Sequence, residues 1–162
     1  MKPIRAVQQE EVWSHWKKVE RIPETDVMWR GDIRDPLPKN IKWFLAEIEE
    51  EDIEKIFIIS SDDWKSITKT FRLLDTVKSL NSIKDDDKVK NILAKKKIYQ
   101  RDIDGLDRKF ILVSPSVNGN FTIIEGNKRA VALLSMNKLI GNQIYLGVSS
   151  KIRNYGWARY SL

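Results

Sequence analysis

Apolar residues recur along this chain in two rhythms. Ile56-Phe57-Ile58-Ile59, Phe110-Ile111-Leu112-Val113 and Phe121-Thr122-Ile123-Ile124 are runs of apolar or β-branched residues without a polar break, the pattern of strands covered on both faces. Gln143 to Val148 is a further strand, and Asn118-Gly119 between the second and third runs signals an antiparallel hairpin. Other stretches repeat at helical spacing. Gln8 to Val19 places Val12, Trp16 and Val19 on a stripe with Trp13 beside it, and Gln9, Glu10 and Glu11 suit its first turn. Phe71, Leu73, Leu74, Val77 and Leu80 give a second helical stripe. Lys88 to Lys97 gives a third, with Val89, Ile92 and Leu93 toward the core.

Turn and cap chemistry fills the remaining stretches. Ser60-Ser61-Asp62-Asp63 carries helix-start signals for a short helix with Trp64 and Ile67. Asp62 and Asp63 also stand at a strand end, where α/β sites form. Asp85-Asp86-Asp87 and Lys95-Lys96-Lys97 bracket the third helix as its dipole requires, which gives both charge runs a structural explanation. Tyr99 to Arg108 reads as a polar loop containing Gly105. Val27-Met28-Trp29 reads as a short strand, and Pro36 and Pro38 stop any regular element. Ile41 to Ile48 fits a strand or a helix. The expected architecture is α/β (α+β), a small mixed β-sheet flanked by helices. It forms a single domain over 1–162, with an N-terminal helical extension over about 1–40 and a basic aromatic tail at 150–162.

The most informative stretch runs from Phe121 to Leu134. It predicts a buried strand ending at Glu125, an abrupt turn at Gly126, and a helix that starts at once with Ala130, Val131, Leu133 and Leu134 inward. Lys128 and Arg129 fall in the first helical turn, where the dipole and the unpaired N–H groups disfavour cations. Two bases there suit a site that expects an anion, with backbone N–H groups and both side chains converging on a phosphate. The alternative is a turn glycine followed by solvated bases.

This stretch resembles the phosphate-binding motif of the ParB/sulfiredoxin superfamily: a strand, an acid or small residue, then Gly-x-x-Arg opening an Ala-rich helix. The matching residues are Glu125, Gly126, Asn127, Lys128 and Arg129, with Ala130 and Ala132, and the likeness is best over about 109–150. The resemblance implies that the turn binds nucleotide phosphates, as with CTP in ParB-type partition proteins, ATP in sulfiredoxin, and ADP or ATP in free-serine kinases. It also implies that Glu125 can position Mg²⁺ or a water, or act as a general base in hydrolysis or phosphoryl transfer. Many relatives have His or Arg where this chain has Lys128. The upstream ParB signature, a helix followed by Gly-x-x-x-Pro, is not evident.

Composition narrows the chemistry. The chain has no cysteine. Disulfides, thiolate nucleophiles and Cys-based zinc sites are therefore excluded, and so is sulfiredoxin chemistry, whose cysteine would stand at Asn127. His15 is the only histidine and suits a structural role. The acidic run Glu49-Glu50-Glu51-Asp52 reads as a solvated charge run rather than a metal site. No signal-peptide core or membrane-length apolar run is evident, so a cytoplasmic location and no membrane partner are expected.

Charge is distributed unevenly. Residues 1–80 hold 14 Lys/Arg against 16 Asp/Glu, a net −2, and residues 81–162 hold 15 against 7, a net +8. A basic half that contains the motif favours a polyanion. The tail interleaves Lys151, Arg153 and Arg159 with Tyr155, Trp157 and Tyr160, a composition suited to nucleic-acid contact or to packing on the domain. Three function classes follow. The leading one is a protein that binds ATP, ADP or CTP and acts as a nucleotide hydrolase or phosphotransferase. The others are a DNA-binding or nuclease module, and a non-enzymatic regulator that binds a protein partner, of phage or defence type.

Overall fold

The uninterrupted apolar runs become the middle of a sheet. The computed structural model describes residues 1–83, 86–101 and 109–158 and is mixed α/β. Strands β1 (Lys2–Val7), β2 (Lys42–Glu47), β3 (Ile56–Ile58), β4 (Ile111–Ser114), β5 (Phe121–Glu125) and β6 (Gln143–Val148) form one sheet in the order β1-β2-β6-β4-β5-β3. Every residue of β3, β4 and β5 is buried. Covered on both faces, these strands have no use for polar alternation. The β1–β2, β2–β6 and β4–β5 pairs are antiparallel, while β4–β6 and β3–β5 are parallel.

Helices α1 (Gln9–Glu20), α2 (Gly31–Arg34), α3 (Leu73–Ser79), α4 (Asp87–Arg101) and α5 (Asn127–Leu134) flank the sheet, and α5 packs against both α3 and α4. Trp16 and Val12 of α1 are fully buried. Trp16 meets Trp29 with ring centroids 5.4 Å apart, and Trp13 bridges to Trp43 of β2 at 5.4 Å. Arg34 lies 4.8 Å over the Trp29 ring and closes this aromatic cluster. His15 is buried against Tyr145, and its Nε2 lies 3.3 Å from the Lys109 carbonyl oxygen, a structural placement.

Several expectations change. The N-terminal segment opens with β1, an edge strand that the sequence reading took as part of a helical extension; all of its residues but Val7 are exposed. Residues 27–29 form turns instead of a strand. The ambiguous stretch 41–48 is β2, whose buried Trp43 and Ala46 stand three residues apart and so mimic a helical stripe. Phe71 precedes α3 with a positive φ of 56°. Leu93 is 44% exposed and lies off the buried face of α4. The helix expected around Ile67 shrinks to a 3-10 turn, Asp62–Trp64. Helix α4 continues through Arg101, so the Lys95-Lys96-Lys97 run lies within the helix and does not end it. Asp85, and the part of the expected 99–108 loop that contains Gly105, lie outside the described residues.

The acidic run forms a 3-10 turn, Glu50–Lys55. Asp52 within it is buried, accepts from the Glu49 N–H at 2.8 Å, and pairs with the Met1 amino group at 2.5 Å. Among the described residues no helix is long and apolar enough to cross a membrane, and no group of three or more His, Cys, Asp or Glu side chains could hold a metal ion.

Gly147 of β6 sits opposite Trp43 in the β2 ladder. A Cβ there would lie 2.5 Å from Ile41 Cδ1 and 2.7 Å from Trp43 Cζ3, so the indole occupies the space a side chain would need. Gly147→Val should therefore destabilise the fold by about 1–3 kcal/mol through overpacking, read as a lower urea midpoint with an unchanged slope.

Candidate functional site

Because β3 and β5 run parallel, their C-terminal ends reach the same edge of the sheet. In α/β sheets the crevice outside the carboxyl ends of strands is where ligands bind. Here the chain leaving β3 and the turn leaving β5 are tied together: Asn127 Oδ1 accepts the Ile59 N–H at 2.9 Å. Asn127 is thus a clamp between two strand ends as well as the first residue of α5. The sequence pattern showed no sign of this bond, since its partner is 68 residues away.

Gly126 makes the strand-to-helix turn with φ 90°, a left-handed conformation that side chains disfavour. A Cβ at this position would lie 2.5 Å from Phe110 Cβ and 2.9 Å from Arg129 Nη2. The turn is therefore closed to larger residues by backbone and packing alike. It opens α5, whose first N–H groups have no acceptor within the helix.

Glu125 and Arg129 have a different arrangement from the one expected. Both are buried, and Arg129 Nη2 donates to the two Glu125 carboxylate oxygens at 2.6 and 2.8 Å. The expectation places Arg129 with Lys128 as a ligand-facing cation and gives Glu125 to Mg²⁺, to a water or to general-base catalysis. In the fold, the guanidinium turns back across the glycine and its charge is balanced within the turn. Lys128 is half-buried and borders the open side.

That open side is a cleft of about 1020 Å³, at the upper end of the size of small-molecule sites. Its floor is Ile124 to Arg129. Lys88, Lys95 and Tyr99 of α4 line the cleft, as do Glu20, Arg30, Asp32 and Ile33. Ile59 to Trp64 and the pair Gly156-Trp157 complete it. Several of its charges are internally paired: Arg30 with Glu20 at 2.7 Å, Lys65 with Asp62 at 2.6 Å, and Lys88 with Asp63 at 3.6 Å.

Lys95 was missed at the sequence level because its run was explained as a helix end. Lys88, Lys95 and Tyr99 are spaced i, i+7, i+11, and that shared helical face was the available signal. Burial, and then the charges of Arg129 and Lys128, hold the Lys95 ammonium below its ordinary pKa, against the opposing pull of Glu125.

The tail residues separate. Tyr155 is buried, its hydroxyl donates to the Ile33 carbonyl at 2.6 Å, and burial raises its pKa. Lys151 and Arg153 are exposed on the 3-10 turn Ser150–Asn154, away from the cleft-lining residues. Trp157 lines the cleft. Arg159 and Tyr160 lie outside the described residues. No protein-family model, curated protein or solved structure matches this chain.

Two outcomes follow from the charges. Arg129→Met leaves Glu125 buried without its guanidinium and should cost about 3–5 kcal/mol, while the Glu125→Leu/Arg129→Met double variant should cost less than the single one, both read by denaturant titration. Lys95→Met should instead raise stability at pH 7, because the charged lysine is disfavoured on folding. A folded pKa below the unfolded one means that the penalty is full below the folded value and vanishes as pH rises past the unfolded one. The gain should therefore shrink toward pH 11, as thermal melts across pH would record.

Proposed function

We propose that this chain binds a nucleoside di- or triphosphate, with the phosphates at the Gly126-Asn127-Lys128 turn. The observation that supports the reading is that the N-terminus of α5, Lys128 beside it and Lys95 of α4 border one cleft, whose lining also carries Glu20, Asp32, Asp62 and Asp63. Bringing like charges together costs stability, and a bound polyanion would offset that cost. The resemblance of residues 125–129 to the ParB/sulfiredoxin phosphate motif supports the same reading and points to ATP, ADP or CTP, with Mg²⁺ as the counter-ion carried by the nucleotide.

Binding, and not hydrolysis or transfer, is the activity proposed. A general base needs a carboxylate oxygen available to a water or hydroxyl, and both oxygens of Glu125 accept from Arg129. The nucleic-acid alternative rests on the net +8 of residues 81–162 and on the aromatics interleaved with cations in the tail. Tyr155 is a core residue, so that pattern does not present a continuous stacking surface.

A thermal-shift and calorimetric screen of ATP, ADP, CTP and GTP with Mg²⁺ tests the proposal. A nucleotide present at about 100 times its dissociation constant should stabilise the fold by about 2.7 kcal/mol. Lys128→Ala and Lys95→Met should each weaken that nucleotide by about tenfold while leaving the fold intact, a charge-assisted phosphate contact being worth about 1.5–3 kcal/mol. A flat response to all four nucleotides would sink the reading.

A further inference from the structure

We propose that Trp157 is the platform on which the base of the bound ligand stacks, so that the site takes a nucleotide and not a bare polyphosphate. The inference builds on the phosphate reading above and adds a residue that the 125–129 motif does not contain.

Trp157 differs from the other tryptophans in combining partial burial with a place on the cleft lining, whereas Trp13, the other partly buried one, is not a lining residue. Trp16, Trp29, Trp43 and Trp64 are buried, and Trp13 packs against three of these rings. Trp64 also borders the cleft, but it lies in the core with Lys88 over its ring at 5.7 Å. Trp157 is partly buried and lines the same cleft as Gly126 and Lys128.

The indole is also held in place before any ligand arrives. Its Nε1 donates to the Asp32 carbonyl at 2.8 Å, and its own backbone carbonyl accepts the Ser60 N–H at 3.1 Å. The flanking residues Tyr155 and Ala158 are buried, and Tyr155 is bonded to the Ile33 carbonyl at 2.6 Å. Trp157 is thus pinned between α2 and the segment leaving β3, across the cleft edge. An aromatic face fixed in this way binds without the entropy of ordering a loose side chain. Base–aromatic stacking tolerates any base, because every base has a π-face. A stacked base would use an indole in a charged cleft, which phosphate alone would not.

The test compares ATP, GTP, CTP and UTP with inorganic tripolyphosphate, all with Mg²⁺, by calorimetry. The wild-type chain should bind at least one nucleotide about tenfold or more tightly than tripolyphosphate, within the range a single stack supplies. Trp157→Ala should lose that excess and keep its tripolyphosphate affinity, which also reports an intact cleft. Trp157→Phe, which keeps a ring but not the N–H, should retain most of it. Trp157→Leu, which fills the space without a π-face, should behave as Ala and covers the case in which Ala does not fold. An excess that persists in Ala or Leu overturns the assignment, as does wild-type binding of tripolyphosphate as tight as that of every nucleotide. If the wild type binds neither kind of ligand, the phosphate reading falls and this one with it.

Discussion

The parallel pairing of β3 with β5 is the constraint from which the site follows. Two strands far apart in sequence must end at the same edge for Ile59 and Gly126 to be neighbours, and the register Ile56↔Phe121 through Ile58↔Ile123 sets that alignment. The Asn127 side chain then bonds the Ile59 N–H, so the helix after β5 begins at a position fixed by β3. A parallel pair requires a long connection, and this one carries α3, α4 and β4. Helix α4 packs on α5 and lends residues to the cleft lining.

Charge in this region is arranged in two tiers. Within the turn, Glu125 neutralises Arg129 in a buried pair whose geometry, an i,i+4 contact spanning the glycine, stiffens the strand-to-helix corner. Outside it, Lys128 and Lys95 line the cleft, and burial first, then the charges of Arg129 and Lys128, lower the Lys95 pKa. Partial burial of a lysine near other cations is a local cost to stability.

The other end of the sheet is organised by apolar packing. Trp13, Trp16, Trp29 and Trp43 join α1, the 21–30 loop and β2 through edge-on and tilted ring contacts. Gly147 gives way to the indole of Trp43 across the β2–β6 ladder. This cluster anchors the N-terminal third of the chain on the sheet. It also positions Asp32 and Ile33, whose carbonyls receive the Trp157 and Tyr155 side chains.

By itself the sequence determined the elements whose signal is local. The runs of β3, β4 and β5 had to be strands because burial on both faces leaves no room for polar residues, and the Gly126 turn had to break because φ 90° excludes most side chains. The stripe of Val12 and Trp16 likewise marked α1. Elements without a local signature were not legible. Strand β1 is an exposed edge with charged residues, and β2 buries Trp43 and Ala46 at a spacing that fits either structure. Which polar residues meet depends on the packing of distant segments. Arg129 pairs with Glu125, Asn127 finds a backbone partner 68 residues away, and Lys95 lines the cleft. Periodicity reports which side of an element is buried, whereas partners are set by chain crossings that bring distant polar groups within hydrogen-bond range.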